Sequence, residues 1–275
     1  MDVSLLALAT LGFVAGAYGT IVGAGGGFII VPALLLLYPK YGPTEVTAIS
    51  LAVVWANATS GSIAYARQRR IDYVTGLLFA ASSVPGVIAG ALVVHLVPER
   101  VFAVLFGLLL LAIAAVILRR SPTAIRQPLS ARGLLVRRVV IADGVAYRYG
   151  YKVWQGVLLS LGVGFVSSLF GIGGGIIHVP AMIMLFHIPI QFAVATSHFI
   201  LAFMSGGATV AHLLNGSLGG QQLVRAAALG AGAVPGAQVG ALIAHRLRGR
   251  AVLALLSIAL VMLAGRLLAK GILAL

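Results

Sequence analysis

Apolar residues in this 275-residue chain come in ten runs separated by short polar breaks, and that pattern excludes most folds at once. The runs span about 4–22, 28–38, 44–66, 73–97 and 101–118, then 154–170, 176–187, 191–214, 222–245 and 251–273. Most approach the roughly 20 residues that a helix needs to cross a bilayer. Only 9% of residues are charged, against about 25% in an ordinary soluble domain, too few to give a soluble body of this length a polar surface. The expected fold is an all-α polytopic membrane protein. A soluble enzyme, a disordered tail and a disulfide scaffold are excluded, the last also because the chain has no cysteine.

The ten runs are five runs written twice. Gly23-Ala24-Gly25-Gly26-Gly27-Phe28-Ile29-Ile30-Val31-Pro32-Ala33 recurs as Gly171-Ile172-Gly173-Gly174-Gly175-Ile176-Ile177-His178-Val179-Pro180-Ala181, at an offset of 148. Val84-Pro85-Gly86, with Gly90-Ala91-Leu92 and His95 after it, recurs as Val234-Pro235-Gly236, Gly240-Ala241-Leu242 and His245, at an offset of 150. Dense matches in the same order indicate duplication. The expected organisation is a first transmembrane repeat at 1–120, a basic linker at 121–152 and a second repeat at 153–275. The second run of each copy is too short to span: eleven or twelve residues at 1.5 Å give roughly 17 Å, about half the hydrocarbon thickness. Each copy is therefore read as four full spans plus a half-helix or re-entrant segment that opens at a glycine-rich break.

The linker begins with loop chemistry, from Ser121-Pro122 to Gln127-Pro128. Beyond it, Leu134–Ile141 and Val145–Tyr151 are rich in Val and Tyr and flank Ala142-Asp143-Gly144, which predicts a small cytoplasmic β-hairpin. A disordered basic linker is the alternative. Eight of the 19 basic residues lie between Arg119 and Lys152, which puts this segment on the cytoplasmic side. Counting bases leaves the relation of the copies open, because inverted and parallel arrangements both give fourteen inside and five outside. Inversion is preferred, since a half-length segment makes a natural fifth element and inverted repeats recur in transporters. The N-terminus lacks a basic n-region and reads as a membrane segment, not a cleaved signal peptide. A net charge of +14 suits anionic lipid and anionic solutes. It does not indicate nucleic acid, which would need a basic face on a soluble body.

The chemistry is expected at the paired breaks: Gly23, Gly25, Gly26 and Gly27 in one copy, Gly171, Gly173, Gly174 and Gly175 in the other. Glycine permits positive φ and close approach to the backbone. A helix opening just after such a break points N–H groups without intrahelical partners, and roughly half a positive charge, at whatever sits there. An oxyanion fits that description. The alternative is that these glycines only let helices pack closely. Ser50 and Thr196-Ser197-His198 occupy matching places in the third runs, Asn57 lies two turns beyond Ser50, and His178 follows the second break by three residues. Neutral or protonated imidazole can bind an oxyanion, although Ser and Thr in membrane helices also bond their own i−4 carbonyls. His95 and His245 lie at segment ends and read as interfacial anchors.

No acid lies in mid-run, and no Ser-His-Asp order, carboxylate pair or His-x-x-x-His spacing occurs, which argues against an intramembrane enzyme, a metal site or a cofactor.

On the duplicated Gly-x-Gly-Gly-Gly-x-x-x-x-Pro motifs, Ala195-Thr196-Ser197 and the paired Val-Pro-Gly motifs, the chain resembles the TauE/SafE family of sulfite and organosulfur exporters, over both copies. The first copy departs from it with Ala48-Ile49-Ser50 in place of Ala195-Thr196-Ser197. The resemblance implies a multi-pass protein of the bacterial inner membrane that moves sulfite, sulfoacetate or a related organosulfonate. The rival readings are a passive anion channel using the same loops and an accessory membrane protein. Gly/Ala-rich helices could also support a homodimer.

Overall fold

The computed structural model describes residues 4–119, 134–140, 146–244, 246 and 249–273. The turn expected at Ala142-Asp143-Gly144, the loop at 121–128 and His245 lie outside them. Each copy contributes five helices. The first supplies α1 (Leu5–Val22), α2 (Gly27–Leu37), α3 (Pro43–Arg67), α4 (Tyr73–Val93, continued by a 3₁₀ turn at Val94–Leu96) and α5 (Glu99–Arg119). The second supplies α6 (Val153–Phe170), α7 (Gly175–Met184), α8 (Ile190–Leu214), α9 (Gly220–Ala244) and α10 (Gly249–Leu273). Among the described residues, eight helices are long and apolar enough to cross a membrane, and α2 and α7 are the two short ones. Large apolar side chains such as Leu6, Leu77, Leu92, Leu158 and Met262 stand more than half exposed around the bundle. Such a belt suits lipid and not water.

Local chemistry sets the helix ends. Ser4 caps α1 by accepting from the N–H of Ala7, and Asp72 caps α4 by accepting from the N–H of Thr75. Gly23 and Gly171 end α1 and α6 in the left-handed conformation, at φ 77° and 71°. The chain turns there and reopens as α2 and α7.

Glycine seams hold the copies together. Side chains at Gly232, Gly236 and Gly240 of α9 would collide with the carbonyls of Ala9, Phe13 and Ala17 of α1. On the other flank, Gly86 and Gly90 of α4 meet the carbonyls of Leu161 and Phe165 of α6 in the same way. Steps of four residues on both partners mean that α1 and α9 run in one direction, and so do α4 and α6. The paired Val-Pro-Gly motifs are therefore packing seams, the close approach that small residues allow in a membrane. In the middle α3 packs on α8, and α5 packs on α10 at the edge. Exchanging the two copies leaves this set of neighbours unchanged.

The short helices fold back. Arg225, near the start of α9, lies 4.1 Å over the ring of Tyr38, the residue that ends α2. Because Arg225 precedes Gly232 by seven residues, α2 ends at the edge of the bundle where α1 begins. Likewise Phe186, just beyond α7, packs 5.2 Å from Tyr151, two residues before α6 begins. Each α1–α2 and α6–α7 pair is thus a helical hairpin with glycines at its tip.

Strands β1 (Leu134–Val140) and β2 (Ala146–Lys152) pair antiparallel, with Leu134 opposite Lys152 and Val140 opposite Ala146. The linker is thus a sheet at these residues, not a disordered segment. Tyr149 and Tyr151 of β2 are buried. Tyr151 meets Phe79 of α4 edge-on at 5.6 Å, and Tyr147 meets Phe192 of α8 at 5.2 Å.

Candidate functional site

Three glycines at each tip adopt positive φ: Gly23, Gly25 and Gly26 at 77°, 74° and 82°, and Gly171, Gly173 and Gly174 at 71°, 75° and 85°. Side chains disfavour that conformation. Within the first tip, the N–H groups of Ala24 and Gly25 both donate to the carbonyl of Gly19, at 2.7 and 3.1 Å. The N–H groups of Gly26, Gly27 and Phe28, which open α2, have no acceptor among the described residues. They carry the positive end of the helix dipole.

The two tips touch. A side chain at Gly27 would strike the carbonyl of Gly171, and one at Gly175 would strike the carbonyl of Gly23. Gly25 and Gly173 both face Val54 of α3 and Leu201 of α8, residues that are themselves one repeat apart. Ser50 of α3 donates to the carbonyl of Gly171 at 2.6 Å, and Ser197 of α8 donates to the carbonyl of Gly23 at 2.9 Å. Each serine reaches across to the other copy's tip. Val54 and Leu201 lie near the midpoints of α3 and α8, so the contact is at the centre of the bundle.

Beside the first tip lies a buried polar cluster. His198 Nε2 is 3.1 Å from Thr20 Oγ1 and 3.3 Å from Asn57 Oδ1. The Nε2–H tautomer can donate to both. Thr20 Oγ1 donates to Asn57 Oδ1 at 3.2 Å, Asn57 Nδ2 donates to the carbonyl of Ala233, and Tyr65 OH donates to the carbonyl of Thr20 at 2.8 Å. All four side chains are buried, and His198 Nδ1 has no partner among the described residues. A buried polar atom without a partner costs about 1–3 kcal/mol, so such atoms mark places where a ligand or water completes the set.

His178 belongs to a different cluster. Its Nε2 is 3.2 Å from Ser160 Oγ, its ring stacks on Phe79 at 6.0 Å, and its Nδ1 also lacks a partner among the described residues. Thr196 turns a third way, accepting from the N–H of Asp72 at 3.0 Å. Thr196, Ser197 and His198 thus reach the start of α4, the first glycine tip and the Thr20–Asn57 pair. The structure gathers the eight glycines, Ser50 and Ser197 at one centre, with Asn57 and His198 beside the first tip. His178 and Thr196 each join separate contacts.

Sequence reasoning missed Thr20, Tyr65 and Ser160. Thr20 was legible as a hydroxyl three residues before Gly23. It also passed over Asp72 as a residue at a segment end. Its side chain is wholly buried and bonded to Arg137 of β1 at 2.9 Å. Burial pushes this carboxyl upward, but hydrogen bonds from Arg137, Thr75 and Tyr149 outweigh it and hold the pKa below the usual carboxylate value. Burial raises Tyr151 to about 12, and burial together with the Asp72 charge raises Tyr149.

The family model described as "Sulfite exporter TauE/SafE" matches residues 8–267. The chain is 33% identical to "Probable membrane transporter protein YunE" of Bacillus subtilis, over 98% of this chain and 99% of that protein. It is 27% identical to "Probable membrane transporter protein MJ0441" of Methanocaldococcus jannaschii, over 75% of this chain and 71% of that one. No solved structure matches it. With the match running from α1 into α10 and through both glycine tips, the chain belongs to the TauE/SafE family of membrane transporters.

Proposed function

We propose that this protein carries small sulfur oxyanions (sulfite, sulfoacetate or a related organosulfonate) across the bacterial inner membrane by alternating access between two inverted repeats. The observation that carries the proposal is the meeting of two glycine tips, one from each copy, at the centre of the bundle. Main-chain N–H groups at helix starts supply positive potential there without a buried cationic side chain. The family's description as a sulfite exporter supports the substrate class.

Inversion is supported by helix directions. Asn57 bonds Ala233 and Gln68 bonds Ala241, so α3 runs with α9 and therefore with α1. Five residues join α3 to α4, which turns α4 back, and α4 runs with α6. Equivalent helices α1 and α6 then point in opposite directions. The hairpin and the Arg67–Arg70 loop share one face, and its basic residues support reading that face as cytoplasmic. Gly23–Gly27 would meet the anion from one side and Gly171–Gly175 from the other, with Ser50, Asn57, Ser197 and His198 beside them and His178 and Thr196 toward the cytoplasm.

Direct contact between the tips favours a carrier over a continuous pore. Val54 and Leu201 must part before an ion passes. The decisive experiment reconstitutes the protein in liposomes and measures uptake of labelled sulfite, organosulfonates, cations and amino acids, with and without a pH gradient. A carrier gives counterflow, accumulating label against excess unlabelled substrate, whereas a channel does not. Transport of cations or neutral amino acids alone would overturn the proposal.

A further inference from the structure

We infer that Arg137 and Tyr149 of the β-hairpin form a cytoplasmic receptor for a small oxyanion, and that the Asp72 carboxylate at the start of α4 occupies it while the hairpin is docked. The ligand class rests on the transport reading above; the receptor itself rests on geometry. Arg137 Nε lies 3.1 and 3.2 Å from the two Asp72 oxygens, and Nη2 lies 2.9 Å from Oδ1. Tyr149 OH donates to Oδ2 at 2.6 Å, Thr75 Oγ1 donates to Oδ2 at 2.5 Å, and the N–H of Thr75 reaches Oδ1 at 3.4 Å. Tyr151 OH donates to Thr75 Oγ1 at 2.9 Å, which leaves the threonine hydrogen free to face the carboxylate.

The Arg137 guanidinium fork and the Tyr149 hydroxyl, both on the hairpin, are donors that can hold sulfite or a sulfonate head as they hold a carboxylate, while Thr75 and its N–H stay with residue 72 on α4. The acceptor alone comes from residue 72. Arg137 keeps 25% of its side chain exposed, so an anion from the water can reach it, while the Asp72 side chain is wholly buried. A sulfite dianion carries twice the charge of the carboxylate it would replace.

Displacement would reach the centre through contacts already described. The N–H of Asp72 is held by Thr196, whose neighbour Ser197 holds the carbonyl of Gly23. On the other side, Tyr151 lies against Phe79, and Phe79 covers His178. An oxyanion that takes the place of Asp72 on Arg137 and Tyr149 therefore loosens the hairpin from α4 and, through Tyr151, the cover of Phe79 over His178.

The chain has no cysteine, so two introduced cysteines can report on the hairpin. Arg148→Cys on β2 and Leu77→Cys on α4, both exposed, are spin-labelled through iodoacetamide thioethers, which sulfite does not cleave, in the full-length protein in nanodiscs. Sodium sulfite should lengthen the distance saturably, and chloride at equal ionic strength should not. In Asp72→Ser, which keeps a helix-capping hydroxyl, the longer distance should be present without sulfite, and adding sulfite should change it by less than half as much as in wild type. Arg137→Gln should abolish the sulfite response, and Asp72→Asn, closest in shape, should behave as Asp72→Ser does. A wild-type distance indifferent to sulfite, a full wild-type response in Asp72→Ser, or an undiminished response in Arg137→Gln would overturn the inference. Sulfite flux without hairpin movement also overturns it while leaving transport intact. Movement without flux upholds the receptor and counts against the transport reading.

Discussion

Ser50 and Gly171 are joined by a 2.6 Å hydrogen bond between copies, and Ser197 returns the same bond to Gly23 at 2.9 Å. The two bonds tie each central helix to the other copy's tip. Neither serine bonds its own i−4 carbonyl, as Thr47, Ser205 and Thr209 do on the same helices.

Ser50→Ala and Ser197→Ala should therefore be alike. Each leaves a buried carbonyl without its donor, a loss of about 1–3 kcal/mol. Thermal unfolding in detergent should place both midpoints below wild type by similar amounts, and counterflow should fall in both. Ser205→Ala, which removes only a local bond, should leave both measurements near wild type. A Ser50→Ala protein as stable and active as wild type would show that the cross-copy bonds do not hold the tips.

Gly25→Ala should abolish transport. Its φ of 74° disfavours a side chain by about 1–3 kcal/mol. The new Cβ would also come within 2.5 Å of Leu201 Cδ2 and 2.9 Å of Val54 Cγ1. Adding Leu201→Ala removes the nearer clash but not the backbone strain, so the double variant should recover only part of the stability. Gly207→Ala is the control, since a Cβ there meets nothing within 4 Å. Full activity in Gly25→Ala would mean that the tips are not the centre.

Much of this arrangement is legible in the chain, and the illegible part has a physical cause. The undersized α2 and α7 are readable because a run of eleven residues cannot cross a bilayer, and the glycine breaks are readable because they recur in register. Ser50 and Ser197 could be singled out by their matching places, but not which carbonyl each meets, because that depends on tip contact between elements some 120 and 170 residues away. Base counts cannot reveal helix directions, whereas glycine seams on packed helices can. In the sequence Asp72 is only an acid at a segment end. Only the folded hairpin, which brings Arg137 from 65 residues away, turns it into a buried ion pair.

The hairpin should detach in acid. The Asp72 pKa is lowered in the folded protein, so its contribution to docking is complete above the unfolded carboxyl value of about 3.9 and is lost as pH falls through the lower folded value. The Arg148–Leu77 spin-label distance, read from pH 7 down to 3, should lengthen at the acid end. Asp72→Asn should remove that dependence and hold the longer distance at every pH. An acid transition unchanged in Asp72→Asn would assign the effect to another group.

His212→Tyr should stabilise the protein. His212 stands one repeat on from Tyr65, at an offset of 147, and Ser168 one repeat on from Thr20, at an offset of 148. The seams confirm the second match: a side chain at Gly240 would meet Thr20 Cβ at 3.0 Å, and one at Gly90 would meet Ser168 Cβ at 2.9 Å. In the first copy the Tyr65 phenol reaches the carbonyl of Thr20 at 2.8 Å. In the second, both His212 nitrogens and Ser168 Oγ lack partners among the described residues, although both side chains are buried. An imidazole ends short of where a phenol oxygen would lie. A tyrosine at 212 should restore the bond seen in the first copy, adding about 1 kcal/mol and raising the unfolding midpoint by roughly 2–4 °C. Tyr65→His should lower it, because the carbonyl of Thr20 loses its donor. If His212→Tyr instead unfolds the bundle at lower temperature, the two copies differ in packing at this place and not only in the length of one ring.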